Sequence, residues 1–203
     1  MARTKARDYD QRREAIVDVA ARLFARAGFA ETSVSDLASA CDISKSLMYH
    51  YYASKEDILY AVMASHIDQL EAELDEVAAR DAGPAAFAPK AFAAVIRTFL
   101  RSYAGAADRQ KVLLNELDNL PADKRKIVVG KQRHIIEVMQ QLVVGAFPEL
   151  GRDPVRARAQ TMLIFGMINW THTWLNPGGP LSVSDIADMV LALVLREPIA
   201  QAS

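Results

Sequence analysis

The chain contains a single cysteine, Cys41, among 203 residues, and it has neither a long apolar run nor a strong net charge. One thiol cannot form an intramolecular disulfide, which excludes a disulfide-rich secreted fold and suits a reducing compartment. No stretch approaches the roughly 20 apolar residues that a membrane-spanning helix needs. The polar N-terminus does not follow the pattern of a secretory signal peptide. These absences predict a soluble, cytoplasmic protein.

The formal net charge of −1 excludes a polycation that coats nucleic acid along its whole length. The first 55 residues nevertheless carry a small excess of Lys and Arg over Asp and Glu, so a contact with nucleic acid is expected there. The four histidines do not have the spacing of metal ligands, and no nucleophile is recognisably paired with a base. We therefore expect no metal, no cofactor and no enzymatic activity, and an all-α enzyme is only a remote alternative.

Helical periodicity runs through nearly the whole chain, and no alternating run is long enough to predict a sheet. Helices are expected at 11–27, 33–41, 44–52, 55–80, 86–104, 109–117, 122–147, 154–174 and 184–195. Gly and Pro clusters at 81–84, 148–151 and 177–180 separate several of them. The pattern predicts an all-α protein with an N-terminal three-helix helix-turn-helix domain at 1–54. A C-terminal helical bundle follows at 55–203, connected through the long helix at about 55–80.

Residues 33–59 have the pattern of two short helices joined by a tight turn and followed by a third helix. Ser33 and Ser44 are residue types that cap helices, and Asp42 is a type that tolerates the left-handed conformation of such a turn. The second helix carries four consecutive ring side chains at 49–52, which an ordinary core does not need. The segment therefore predicts a helix-turn-helix whose second helix enters the major groove of DNA.

The second helix should present its N-terminal side to the DNA and bury the other. We expect Lys45, Ser46 and Met48 on its exposed front, and Leu47 in the small core with residues of the neighbouring helices. Three adjacent rings cannot all lie on one exposed face, so Tyr52 is expected to point inward. Lysine in the major groove most often selects guanine.

The order of these residues resembles the DNA-binding motif of the TetR family of transcriptional regulators. The resemblance rests on Leu37-Ala38-Ser39-Ala40-Cys41-Asp42-Ile43-Ser44, then Tyr49-His50-Tyr51-Tyr52, then Lys55-Glu56-Asp57-Ile58-Leu59. Asp42 and Ser46 stand where the family commonly has glycine. By resemblance, Thr32, Ser33, Tyr49, His50 and Lys55 are expected to contact phosphate. Lys45, Ser46 and Met48 are the candidates for base contacts, and Ser44, at the start of the helix, belongs to the same DNA-binding set.

The resemblance also implies a homodimer that reads a palindromic operator through an interface formed by the last two helices. The sequence agrees, because residues 162–174 and 186–194 have more apolar side chains than one buried stripe requires. Two such helices from each subunit would form a four-helix bundle. The alternative is that both helices are core within one subunit.

Apolar side chains between residues 84 and 175, with a few polar ones, are typical of a small-molecule pocket, although they describe a core equally well. The candidate effector contacts are Phe92, Ile96, Phe99, Arg109, Arg133, Met139, Phe165, Asn169, Trp170 and His172.

Two C-terminal segments, 113–121 and 169–182, are similar to TetR regulators of fatty-acid, steroid or aromatic-acid degradation, which commonly respond to acyl-coenzyme A thioesters. In that case Arg109, Lys131 and Arg133 would supply cations for the phosphates of coenzyme A. The resemblance implies a repressor that an acyl-CoA releases from its operator. The alternative is a TetR-type repressor of an efflux operon that responds to a lipophilic drug or a free aromatic acid.

Overall fold

The computed structural model describes residues 2–80, 88–176 and 178–195, and these ranges contain helices and loops but no strand. The helices are α1 (Ala2–Ala27), α2 (Val34–Ala40), α3 (Lys45–Tyr51), α4 (Lys55–Arg80), α5 (Ala88–Gly105), α6 (Ala107–Asn115), α7 (Ala122–Ala146), α8 (Pro154–Asn169), α9 (Thr171–Trp174) and α10 (Val183–Leu195). The all-α prediction is confirmed. The break predicted at 81–84 and position 177 lie outside the described residues. Within the described ranges, no helix has the length and hydropathy that crossing a membrane requires.

The chain divides into two compact units that differ from the predicted domains. The first unit comprises Met1–Ile67 and Asp108–Val129, and the second comprises Asp68–Ala107 and Gly130–Ser203. The boundary predicted after residue 54 is therefore not the boundary between the units. The N-terminal half of α4, nearly all of α6 and the beginning of α7 belong with α1–α3, because the chain leaves the first unit and later returns to it.

The helix-turn-helix in the first unit follows the local signals of the sequence. Gly28 ends α1 with a φ of 86°, and Asp42 adopts a φ of 52° in the turn between α2 and α3. Ser33 and Asp36 form a reciprocal capping box at the start of α2, and the hydrogen bond from the Ser33 side chain lowers the pKa of Asp36. The predicted caps and the left-handed turn residue are confirmed.

An arginine and a lysine join the returning segment to the rest of the first unit. Arg109 of α6 donates hydrogen bonds to Ser65 of α4 at 2.9 Å and to Asp18 of α1 at 2.7 Å, and it also pairs with Glu14 at 2.5 Å. Lys124 of α7 forms an ion pair with Asp57 of α4, and its hydrogen bond lowers the pKa of Asp57. These contacts hold α1, α4, α6 and α7 together at the point where the chain re-enters the unit.

The second unit has an aromatic and aliphatic core. α5 packs against α8 and α10, and Arg97 of α5 is paired with Asp188 of α10 at 2.6 Å. α7 is joined to α4 by Lys131, which lies 2.6 Å from Glu71 and 2.9 Å from Asp68. Hydrogen bonds to these two carboxylates raise the pKa of Lys131. Lys131 is therefore occupied by protein carboxylates and does not fit the expected role of a phosphate ligand.

The helix predicted at 154–174 is interrupted at Trp170. α8 ends at Asn169, and the four-residue α9 follows. The Thr171 hydroxyl donates to the Ile168 carbonyl at 2.6 Å, and the Thr173 hydroxyl donates to the Trp170 carbonyl at 2.7 Å. Such side-chain bonds to preceding carbonyls accompany the interruption and favour a bend in the chain there.

Candidate DNA-binding surface and effector pocket

The short helix α3 is fixed at both ends and along its inner face. The Ser44 side chain accepts the Leu47 amide at 3.1 Å and caps the helix. Met48 is fully buried, and Tyr52 is also buried and donates its hydroxyl to the Arg13 carbonyl at 3.3 Å. The inward orientation predicted for Tyr52 is confirmed. Met48 and Tyr52 lie one helical turn apart, so together they set the rotation of α3 about its axis.

The exposed front of α3 differs from the prediction at two neighbouring residues. Lys45 and Ser46 are exposed as expected. Met48, however, is fully buried, whereas Leu47 is 38% exposed, which reverses the predicted arrangement. The prediction that Met48 contacts bases is therefore wrong, because a side chain in the core cannot reach a groove. Leu47 is the residue of the exposed front that the sequence did not predict.

Tyr49 and His50 complete this front. Tyr49 is 47% exposed, and His50 is exposed beside it. The ring of Tyr9 in α1 lies 5.0 Å from the ring of Tyr51 and 6.1 Å from the ring of His50, edge-on to the latter. Tyr9 therefore supports the C-terminal half of α3. Nothing in the local sequence indicates this contact, because the partners are far apart along the chain.

The two residues before α2 have different environments. Thr32 is buried, and its hydroxyl donates to the Gly28 carbonyl at 2.8 Å. A phosphate contact through that hydroxyl is contradicted by its burial and by the bond it already makes. Ser33 is exposed, and its hydroxyl takes part in the capping box with Asp36. Of the two, Ser33 is therefore the residue that DNA can reach.

Lys55 has a structural role that the sequence did not reveal. Its Nζ donates to the Phe29 carbonyl at 2.8 Å and to the Thr32 carbonyl at 2.9 Å, and it lies 4.0 Å from the centre of the Phe29 ring. The lysine therefore anchors the loop between α1 and α2 to the start of α4. Since an ammonium group has three donors, one remains for another acceptor.

Half of the ten predicted effector residues form packed core in the second unit. Five of them are buried: Phe92, Ile96, Phe99, Met139 and Phe165. The Phe99 ring lies 6.4 Å from that of Phe165, and the Phe92 ring lies 6.4 Å from that of Phe147. These side chains fill the interior, and their contact with an effector stays a prediction.

The polar candidates are dispersed. Arg109 belongs to the first unit, where it is held by Ser65, Glu14 and Asp18, and its contact with an effector stays a prediction. Arg133 is exposed on α7. At the junction of α8 and α9, His172 Nδ1 lies 2.6 Å from the Asn169 carbonyl oxygen, while the Trp170 side chain is 65% exposed.

Two clefts lie in the second unit. One, between α4 and α5, has a volume of about 440 Å³ and polar walls that include Glu73, Glu76 and Arg101. The other, of about 910 Å³, is lined by Pro89, Ala146, Phe147, Glu149, Leu150, Arg156, Ala159, Gln160, Leu163, Ile164, Met167 and Leu193–Leu195. Mostly apolar walls with a few polar groups are the usual composition of a small-molecule site. None of the ten predicted effector residues lines either cleft, but Phe147 in the larger one contacts Phe92.

The last helices and the loop before α10 expose several large apolar side chains, here called the α8–α10 face. Leu163 is 71% exposed and Leu193 is 67% exposed. The face consists of Val155, Met162, Leu163, Met167, Trp170, Trp174, Leu181, Met189 and Leu193. Gly166 lies among them, and a Cβ added there would meet no atom of the chain within 4 Å. An apolar surface of this extent is typical of a protein–protein interface.

Comparison with known families agrees with this architecture. Residues 16–62 match the model of the bacterial regulatory proteins of the tetR family, and residues 90–197 match a tetracyclin repressor-like C-terminal domain. The second match alone spans more than half of the chain. The chain therefore belongs to the TetR family of transcriptional regulators, as its N-terminal motif predicted.

Several relatives cover most of the chain. The HTH-type transcriptional repressor KstR2 of Rhodococcus jostii is 25% identical over 91% of this chain and 89% of its own length. A TetR-family regulator from Bordetella parapertussis has a crystal structure with a TM-score of 0.86, 37% identity, and coverage of 94% of this chain and 97% of that one. AibR, solved in complex with isovaleryl coenzyme A and operator DNA, has a TM-score of 0.78 and 25% identity over 92% of this chain and 99% of its own. These relatives are consistent with a ligand-responsive transcriptional repressor.

Replacing Lys55 with Met should separate its loop contacts from a phosphate contact. Loss of two hydrogen bonds to backbone carbonyls should lower the free energy of unfolding by about 1–2 kcal/mol, measured by urea denaturation. DNA affinity should fall, but the slope of log affinity against log salt should not change. A lost phosphate contact would instead reduce that slope by about 0.9. The exposed Lys111 of α6, replaced in the same way, serves as control.

Proposed function

We propose that the protein is a homodimeric repressor that binds a palindromic operator through α3 and is released by an acyl-coenzyme A thioester. The observation that carries the proposal is the exposed polar front of α3, rigidly supported from inside by Met48 and Tyr52. A recognition helix needs this combination, because its side chains must reach the groove without moving the helix. We propose that the protein acts by binding alone, without enzymatic activity.

In this arrangement the first unit contacts each operator half-site. Lys45 and Ser46, in the first turn of α3, face base edges, and Lys45 is expected to select guanine. Tyr49, His50 and Ser33 contact the phosphate backbone on either side. Ser44 serves chiefly as the cap, since its side chain accepts the Leu47 amide.

The α8–α10 face supports dimerisation. Its exposed apolar side chains would be covered by the same face of a second subunit, which is the isologous arrangement of a twofold dimer. Three of them, Leu163, Met167 and Leu193, also line the larger cleft, so the cleft would border the interface. Gly166 offers open space in the middle of the face, so a partner helix can approach closely there. Dimerisation would set the separation of the two recognition helices, which must match half-sites one helical turn of DNA apart, about 34–36 Å.

Release requires that the effector favour a conformation with another separation of the recognition helices. The chain passes from the second unit into the first immediately before Arg109, which joins α6 to α1 and α4. A shift of α5 and α6 on effector binding would therefore act directly on α1.

The proposed effector class rests on the relatives and on the larger cleft. AibR is described in complex with isovaleryl coenzyme A and operator DNA, and its structure covers 92% of this chain. The apolar cleft of about 910 Å³ would hold the acyl group, and Arg156 in its wall is a candidate partner for a phosphate. Phe147 connects this cleft to Phe92, so this predicted effector residue lies directly behind the wall of the cleft.

The effector class can be tested with operator DNA and matched compounds. Isovaleryl-CoA and longer acyl-CoAs should dissociate the complex in a gel-shift titration, whereas the corresponding free acids and unacylated coenzyme A should not. Release by the free acids alone would contradict the acyl-CoA proposal. That outcome would favour the alternative of an efflux repressor that responds to a lipophilic drug or a free aromatic acid.

The placement of the effector predicts the behaviour of one cleft variant. Ala159→Trp should fill the larger cleft and abolish release by the acyl-CoA that dissociates the wild-type complex. Operator affinity without effector should remain within about threefold, since Ala159 is not in the first unit. Arg158→Trp, at an exposed position on the same helix outside both the cleft lining and the α8–α10 face, is the matched control. Unaltered release from Ala159→Trp would refute the placement.

The dimer interface predicts the effect of a charge on the α8–α10 face. Met162→Glu, at a residue of the face that does not line the larger cleft, would bury a carboxylate between subunits and should weaken dimerisation at least roughly 30-fold, or about 2 kcal/mol. Sedimentation velocity measures the dissociation directly, and operator affinity should fall with it. Ile127→Glu, at a side chain of the first unit that is 48% exposed, should leave the dimer intact. Equal dimerisation of both variants would exclude this face as the interface.

A further inference from the structure

We propose that Leu47 recognises the methyl group of a thymine in each operator half-site. The inference rests on the proposed function, because it adds a specificity-determining residue to the same DNA-binding surface. It starts from the exposure of two neighbouring residues of α3, which is the opposite of what the sequence predicts. Leu47 is 38% exposed and Met48 is fully buried.

The position of Leu47 limits what it can contact. It lies in the first turn of α3 directly after Lys45 and Ser46, and this end of a recognition helix is the part that approaches base edges. Its backbone amide donates to the Ser44 side chain at 3.1 Å. That amide is therefore not available to a phosphate or a base, and only the apolar side chain can meet the DNA.

The chemistry of the major groove then identifies the partner. Each base edge there presents hydrogen-bond donors or acceptors, and the C5-methyl group of thymine is the apolar group among them. A leucine placed against phosphate or a polar edge would displace water without replacing its hydrogen bonds, which is unfavourable. Against a methyl group the same side chain removes apolar surface from water on both partners.

The neighbours of Leu47 on the front of α3 do not compete for this methyl group. Lys45 presents an ammonium group suited to guanine, and Ser46 presents a hydroxyl that can donate or accept. Leu47 is thus the apolar member of the first turn of α3. The half-site is expected to contain a thymine close to the guanine that Lys45 contacts.

The test removes the methyl group without changing base pairing. The wild-type protein first selects a palindromic operator from a random duplex library, and each thymine of one half-site and its symmetry mate is then replaced with deoxyuridine. At one position, deoxyuridine should lower wild-type affinity about fourfold per half-site, measured by fluorescence anisotropy, which corresponds to one methyl group. Leu47→Ala should bind the thymine operator with similarly reduced affinity and should not respond to deoxyuridine.

Two controls keep the result specific. Lys45→Ala should still respond to deoxyuridine, since its lost contact is with a different base. Leu47→Met should retain the response, and circular dichroism should show that all variants fold. Wild-type binding that is indifferent to deoxyuridine at every thymine, or a Leu47→Ala variant that still responds, would overturn the inference while the proposed function stands. Failure of the wild type to select any duplex would overturn both.

Discussion

The rotation of α3 about its own axis decides which side chains the protein can present to DNA. This rotation is set by the burial of Met48 and Tyr52. Tyr52, at the C-terminal end of α3, also donates its hydroxyl to the carbonyl of Arg13 in α1. Successive residues of a helix are turned by about 100°. A different inward residue would therefore move Lys45, Ser46 and Leu47 away from the front together.

A second constraint comes from the order in which the chain builds the first unit. α6 and the beginning of α7 belong to the first unit, although residues 68–107 of the second unit separate them from the N-terminal segment in the chain. Arg109 fixes the return, and its side chain is only 15% exposed while it pairs with two carboxylates of α1. Such a partly buried charge is stable only with its partners in place. The helix-turn-helix is consequently anchored to a segment that continues directly from α5.

Local chemistry made the starts of α2 and α3 and the turn between them predictable from sequence. Ser33, Ser44 and Asp42 have conformational preferences that depend only on near neighbours, and the structure places all three as predicted. The errors concern choices that distant residues decide. Leu47 and Met48 are similarly apolar, so composition could not tell which of the two faces inward. Arg109 connects α6 to α1 because carboxylates that are distant in sequence lie beside it.

The effector residues illustrate the same limit in the second unit. Apolar side chains at helical spacing describe a pocket wall and a core equally, and Phe92, Ile96 and Phe99 are core in this conformation. A close-packed interior yields little volume without rearrangement. An effector must therefore either occupy a cleft that already exists or separate these rings. Phe147 lies in the wall of the larger cleft and against Phe92, so a ligand that displaces Phe147 would disturb the packing of α5 from the cleft inward.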